Sequence, residues 1–357
     1  MSGWARALDV IRGGVASRVF PGACVEAGSA DGPAWSDAVG TLGYDADSPR
    51  VTAGTLYDLA SLTKPIAAAT VAMRLVEAGR LDLAATVAAH EPGWAGADRE
   101  PVSIQDLLEH AGGLPAWAPL WKAHAGREAV VAAACGAPLA YPPRSRSVYS
   151  DLGFIVLGSV LERAGQAALD VLFDGIVRPD AGAAIPLGFR PPPSVRGLTA
   201  PTRFSDARER LLVAEVDDDN AWAMGGVAGH SGLFGTAAAV GAFARTLMRA
   251  RRGDPAAERQ LASREVIRRF LAPSAVPGSS RALGWDLMRP TSSCGTQMSA
   301  SAFGHTGFTG TSLWIDPEAD LYAVLLTNRV HPAAGPNEPM QAVRRAFHDA
   351  LFERGRA

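Results

Sequence analysis

Two pairs of β-rich stretches stand at opposite ends of this chain, residues 23–30 and 35–44 near the start and 311–315 and 321–327 near the end. Each pair reads as a hairpin, with turns at 31–33 and 316–320. The residues between are mostly helix and loop. A single antiparallel sheet assembled from both ends, with a helical insertion, explains that order. The expected fold is therefore α+β. Residues 1–78 and 230–357 form the sheet part, 79–229 the mainly helical part, and an active site lies between them. A length of 357 residues is long for one compact core and fits two subdomains.

The helices are legible from periodicity and caps. Trp4, Leu8, Ile11 and Val15 share one face of a first amphipathic helix within 1–19, with Arg6, Asp9 and Arg12 between them. Ser103 is a plausible N-cap for 103–110, which stops at Gly112 and Gly113. Residues 152–164 form a strongly apolar helix ending at Gly165, 236–250 form a late helix, and 341–354 close the chain as an amphipathic helix. The Pro-rich 190–193 and the acidic 217–219 read as surface loops.

Composition narrows the function classes. A net charge of −2 gives no basis for a nucleic-acid or membrane-surface partner. No apolar run has the length of a membrane span, and the first helix lacks the unbroken apolar stretch of a signal peptide. The expected location is the cytoplasm, although a trimmed export signal would leave no trace. Cys24, Cys135 and Cys294 are far apart and odd in number, which fits buried thiols. His90, His110, His124 and His331 show no ligand spacing, so no metal site is expected, and the reaction read below calls for no organic cofactor. The oligomeric state is not readable.

One imbalance points to chemistry. Of 34 basic residues only Lys64 and Lys122 are lysines. A lysine kept against such a bias suggests a position whose amine must be able to lose its proton, which arginine does not do. Lys64 closes Ser61-Leu62-Thr63-Lys64, just after the extended residues 55–59 and at the start of a helix running to Ala78. Pro65 is tolerated there because it falls in the first turn. Residues three apart share a helix face, so the amine can reach the hydroxyl. Free N–H groups at a helix start can stabilise an oxyanion. With 23 serines and two lysines, chance alone gives about 0.1 such pairs, so the pair needs support.

Support comes from Tyr149-Ser150-Asp151 and His305-Thr306-Gly307, with Leu107-Leu108-Glu109-His110-Ala111-Gly112-Gly113-Leu114-Pro115 between the first two motifs. In this order they resemble the serine β-lactamase and penicillin-binding-protein superfamily. Its pattern is SxxK, YxN, then KTG or HxG, and the nearest branch holds class C enzymes, D-Ala-D-Ala carboxypeptidases, esterases and D-aminopeptidases. The resemblance runs from about Phe20 to Pro332. It implies that Ser61 forms an acyl-enzyme, that Lys64 and Tyr149 share the proton work, and that the N–H groups of Ser61 and Phe308 form the oxyanion hole. It also implies a substrate-binding role for Asp151, His305, Thr306 and Gly307. Which of Lys64 and Tyr149 holds the proton stays open, because adjacent groups titrate together.

Two departures bear on substrate. Asp151 replaces the usual Asn; it cannot donate an amide hydrogen bond, but it can accept from a cationic amine or pair with Lys64. His305 replaces the usual Lys and is expected to change charge across physiological pH. The Gly-rich 225–232 lacks the ending of a phosphate loop and reads as a close-packed cleft wall, where His230 could touch substrate. The favoured function is a serine hydrolase of small esters, amides or D-amino-acid peptides, with a small-molecule or short-peptide substrate. A β-lactamase or D-Ala-D-Ala carboxypeptidase is the alternative within the same chemistry. A non-catalytic penicillin-binding or sensor module is the alternative outside it.

Overall fold

The computed structural model describes residues 2–177 and 187–352. Its main sheet is six-stranded and antiparallel, in the order Gly32–Gly40, Gly22–Ser29, Leu321–Thr327, Ser312–Asp316, Phe303–Thr306, Asp286–Leu287. First and last strands of the chain are neighbours, with Ala23 opposite Thr327 and Gly28 opposite Tyr322. The second strand ends four residues short of the expected Tyr44, because Gly40 takes φ +83° and turns the chain out of the ladder. Pro33 lies within that strand and is tolerated because the strand is at the sheet edge.

Alternation along the two central strands sends side chains into two cores. Ala23, Val25 and Ala27, with Ala323 and Leu325, pack under the helices Gly3–Ala16 and Glu338–Phe352, against Ile11 and Phe347. The opposite face, with Cys24, Tyr322, Val324 and Leu326, packs against the helix Ala237–Arg252 and joins a larger core that continues into the middle of the chain. Each fully buried Val or Leu contributes roughly 1.5–3 kcal/mol. The last two residues of the expected closing helix, 353 and 354, lie outside the described residues. All three cysteines are free and buried.

Two elements of the larger core set up the site. The helix Asp151–Gly165 is capped by Ser150, whose hydroxyl accepts from Gly153 N, and it is buried from Leu152 to Leu161, as its all-round apolar sequence requires. No single described helix is long and apolar enough to cross a membrane. The helix after Ser61 departs from expectation: Lys64–Ala69 winds as a wide π-type turn before regular α-helix resumes at Thr70–Glu77. Pro65 has no N–H to give the first turns, and the Thr70 hydroxyl bonds back to the Pro65 carbonyl at 3.2 Å. Such widened turns concentrate at functional sites.

The Gly-rich segment lies flat against the buried helix. A Cβ at Gly229 would drive into the carbonyl oxygen of Phe154, and one at Gly158 would stand 3.0 Å from Gly229 N. Gly229→Ala should therefore cost about 1–3 kcal/mol, read as a lower midpoint in thermal unfolding by circular dichroism. Gly175→Ala, on the helix Leu169–Val177 with open space at its Cβ, should instead stabilise by about 0.5–1 kcal/mol.

Candidate active site

Lys64 is wholly buried, and its amine meets three oxygens: Asp151 Oδ1 at 2.6 Å, Ser61 Oγ at 3.0 Å and the His230 carbonyl at 3.1 Å. These come from the turn Ala60–Leu62, the start of the helix Asp151–Gly165, and the glycine-rich wall. Burial alone would push the ammonium down; the Asp151 carboxylate, followed by Tyr149, more than offsets it and leaves the pKa above that of an ordinary lysine. Of the two readings of Asp151, pairing with Lys64 is the one the geometry realises. Asp151 nonetheless borders the cavity.

Tyr149 joins the same cluster. Its ring centroid is 4.7 Å from the Lys64 amine, and the Arg281 guanidinium lies 5.0 Å from the ring. Burial raises its pKa; the Lys64 ammonium opposes this and the Asp151 carboxylate adds to it, for a net rise. His110 backs the ring at 4.7 Å and its Nδ1 accepts from Ser150 N at 3.0 Å, which fixes the turn that delivers Tyr149.

The third motif is held from behind. Thr309 Oγ1 donates to the Asp58 carbonyl at 2.7 Å and Thr311 Oγ1 to the Leu59 carbonyl at 3.0 Å. These bonds stitch the turn after the strand Phe303–Thr306 to the segment carrying Ser61. Gly307 is required at that seam, because a Cβ there would sit 2.5 Å from the Leu59 carbonyl oxygen. Phe308, just beyond, borders the cavity with its ring half-exposed. Ala60 takes φ +48° immediately before Ser61, and its N–H donates to Asp58 Oδ1 at 2.8 Å.

His305, Thr306 and Gly307 do not border the cavity; they form its backing. His305 is buried, with Nδ1 2.7 Å from the Thr306 carbonyl and its ring 5.8 Å from Tyr149. The expectation that it changes charge near neutrality is corrected: burial pushes its pKa down to about 4, so the ring is neutral at physiological pH.

The cavity, about 490 Å³, is bordered by Ser61, Tyr149, Asp151, Trp117, Phe308, His230 and the 217–219 run, among others. That acidic run is not the surface loop expected. Asp217 is buried and its N–H donates to Asp58 Oδ2 at 2.6 Å; Asp218 caps the helix Asp219–Ala223. Asp218 Oδ1 also meets His230 Nε2 at 2.8 Å, and despite burial the His230 ring and the capped N–H group hold its pKa at about 2. Arg203 pairs with Asp217 at 3.2 Å and with Asp219 at 3.1 Å. Asp58, Trp117 and Arg281 carry no sequence signal that marks them, and Asp218 lies in the run read as a surface loop. Asp217–Asp219 precede the glycine-rich wall by only a few residues, and that spacing was the one available signal.

Comparison with known proteins accords with this geometry. A sequence model of the Beta-lactamase family matches residues 8–346. The chain belongs to the beta-lactamase family. A putative D-alanyl-D-alanine carboxypeptidase from Escherichia coli is 32% identical over 322 residues, covering 81% of this chain and 73% of the relative. Among solved structures, EstCE1, a hydrolase with promiscuous acyltransferase activity, superposes with a TM-score of 0.75 at 19% identity over 98% of both chains. A penicillin-binding protein homologue from Caulobacter crescentus does so with a TM-score of 0.74 at 20% identity, again over 98% of each. These two establish the β-lactamase-like fold, with its antiparallel sheet and flanking helices. Hydrolytic chemistry of the β-lactamase and penicillin-binding-protein superfamily follows from the family membership.

Two outcomes test the electrostatics. Asp151→Asn removes the carboxylate that raises both Lys64 and Tyr149, so the pH profile of kcat/KM should move to lower pH; an unmoved profile would contradict the pairing. For His305, the unfolded ring takes a proton below about pH 6.5, but the folded ring only near 4. The unfolded state thus binds more protons in that window, and stability falls as pH drops from 6.5 toward 4. Relative to His305→Gln, the wild type should lose about 3 kcal/mol across it, measured by denaturant unfolding at each pH.

Proposed function

We propose that this protein hydrolyses small esters and amides, amino-acid derivatives included, through an acyl-Ser61 intermediate. One observation carries the reading: the Lys64 amine, with no solvent access, lies 3.0 Å from Ser61 Oγ and 2.6 Å from Asp151. A buried amine held between a hydroxyl and a carboxylate suits the handling of the proton a serine nucleophile must lose.

Asp151 keeps Lys64 as the ammonium, so the Ser61 proton goes to Tyr149 in its phenolate form, which the neighbouring cation stabilises against burial and which becomes the neutral phenol as it accepts the proton. Ser61 Oγ then attacks the acyl carbon. The N–H groups of Ser61 and Phe308 receive the developing oxyanion, the leaving group takes the proton back, and water repeats the sequence on the acyl-enzyme.

The cavity's charge favours esters and amides over substrates ending in a carboxylate. Arg203 is tied to Asp217 and Asp219, His305 is neutral and set behind Tyr149, and Asp218 faces the same space as an anion. A D-Ala-D-Ala carboxypeptidase, the second reading, rests on the name of the Escherichia coli relative.

Ser61→Ala should lower kcat/KM on p-nitrophenyl esters by on the order of 10⁴-fold or more, and Tyr149→Phe by about 10²–10⁴-fold. The wild type should cleave the p-nitrophenyl ester of D-alanine faster than it releases D-alanine from a D-Ala-D-Ala peptide. The reverse ranking favours the carboxypeptidase, and full activity in Ser61→Ala removes the nucleophile assignment.

A further inference from the structure

Arg344 projects from the closing helix Glu338–Phe352 into the protein interior, where it is only 3% exposed. No carboxylate pairs with it among the described residues. Its Nη2 donates instead to two backbone carbonyls, Gly307 at 2.7 Å and Thr311 at 3.0 Å, while Nε has no partner. The charge that acts on it is of like sign: burial first, and then Arg329, push its pKa down to about 9. His348, one turn further along the helix, is neutral, its pKa lowered by burial to about 3. A buried guanidinium without a counter-ion is costly. Its contacts go to one place, the turn 307–311.

That turn carries the Phe308 N–H. Gly307 N donates to the Thr311 carbonyl at 2.8 Å and Gly310 N to the Gly307 carbonyl at 3.1 Å, so Nη2 bridges both ends of a closed loop. The Gly307 carbonyl and the Phe308 N–H belong to one planar peptide unit. A cation on the carbonyl end draws electron density from the nitrogen and strengthens the N–H as a donor, the cooperative effect expected along hydrogen-bond chains in low dielectric. Arg329 clasps the next unit, with Nε on the Phe308 carbonyl at 2.9 Å and its N–H on the Thr309 carbonyl at 3.0 Å.

We propose that Arg344 is a positioning residue for the acyl-transfer reaction, which polarises and orients the Gly307–Phe308 peptide so that its N–H stabilises the oxyanion. This rests on the acyl-Ser61 reading. The guanidinium never touches substrate; it acts through the peptide, from the side opposite the cavity.

Arg344→Met removes the charge and the donors while keeping an apolar stem of similar reach. Arg344→Lys restores a cation whose donors sit on a single nitrogen, and Arg344→Gln a neutral donor. With folding confirmed by thermal unfolding, Arg344→Met should lose about 10- to 100-fold in kcat with KM changed less than about threefold, a fraction of the loss on deleting an oxyanion donor. Isotope-edited infrared spectra of an acyl-Ser61 adduct, formed with a slowly hydrolysed cinnamoyl ester, should show the ester carbonyl stretch at higher wavenumber in Arg344→Met. It should return most of the way toward wild type in Arg344→Lys, with Arg344→Gln between. If Arg344→Met does not fold, the other two variants carry the same comparison. A folded set with the wild-type stretch and kcat overturns the role of Arg344 and leaves acyl-Ser61 standing. A wild type that forms no adduct on Ser61 overturns both.

Discussion

Everything near the cavity is arranged around one buried ammonium. Lys64 has no access to water and replaces its hydration with three oxygens from three separate segments. A charge left unpaired in that position would be costly, so the convergence of the nucleophile turn, the helix beginning at Asp151 and the glycine-rich wall is what makes its burial tolerable. Stability and chemistry thus depend on the same contacts. The carboxylate that makes the burial tolerable also sets the proton balance between Lys64 and Tyr149.

Convergence at that scale needs close backbone approach. Gly158 and Gly229 let the wall touch the buried helix, and Gly307 lets the third motif touch the segment before Ser61. Asp58 then ties two sides of the cavity together, one carboxylate oxygen on Ala60 N and the other on Asp217 N. Burial and the neighbouring Asp217 charge push its pKa up to about 7, against the pull of those two N–H donors. The nucleophile turn and the acidic wall therefore share a single buried acid.

Much of this was legible along the chain. Hairpins at both ends implied one sheet, because alternating apolar faces such as Ala23, Val25 and Ala27 must find a partner core, and the partner strand proved to be Leu321–Thr327. The scarcity of lysine singled out Lys64, and a three-residue spacing brought it to Ser61. Charge in sequence suggests solvent for the acidic run 217–219, but Asp217 is satisfied by an arginine and Asp218 by a histidine that arrive from outside the run, with the Ala221 N–H added locally. His305 differs from its sequence expectation for a related reason, since a histidine's charge depends on burial that no local pattern reports.

By itself the sequence determined which residues share a helix face or a strand face, where the turns fall, and which side chains can serve as nucleophile and proton carrier. These follow from periodicities of 3.6 and 2 and from intrinsic side-chain chemistry. Only the tertiary structure decided the partners: Asp151 for Lys64, His230 for Asp218, and the Gly307 carbonyl for Arg344. Electrostatic pairing and desolvation act through space over a few ångströms, and segments far apart in the chain become neighbours only when the whole core has formed.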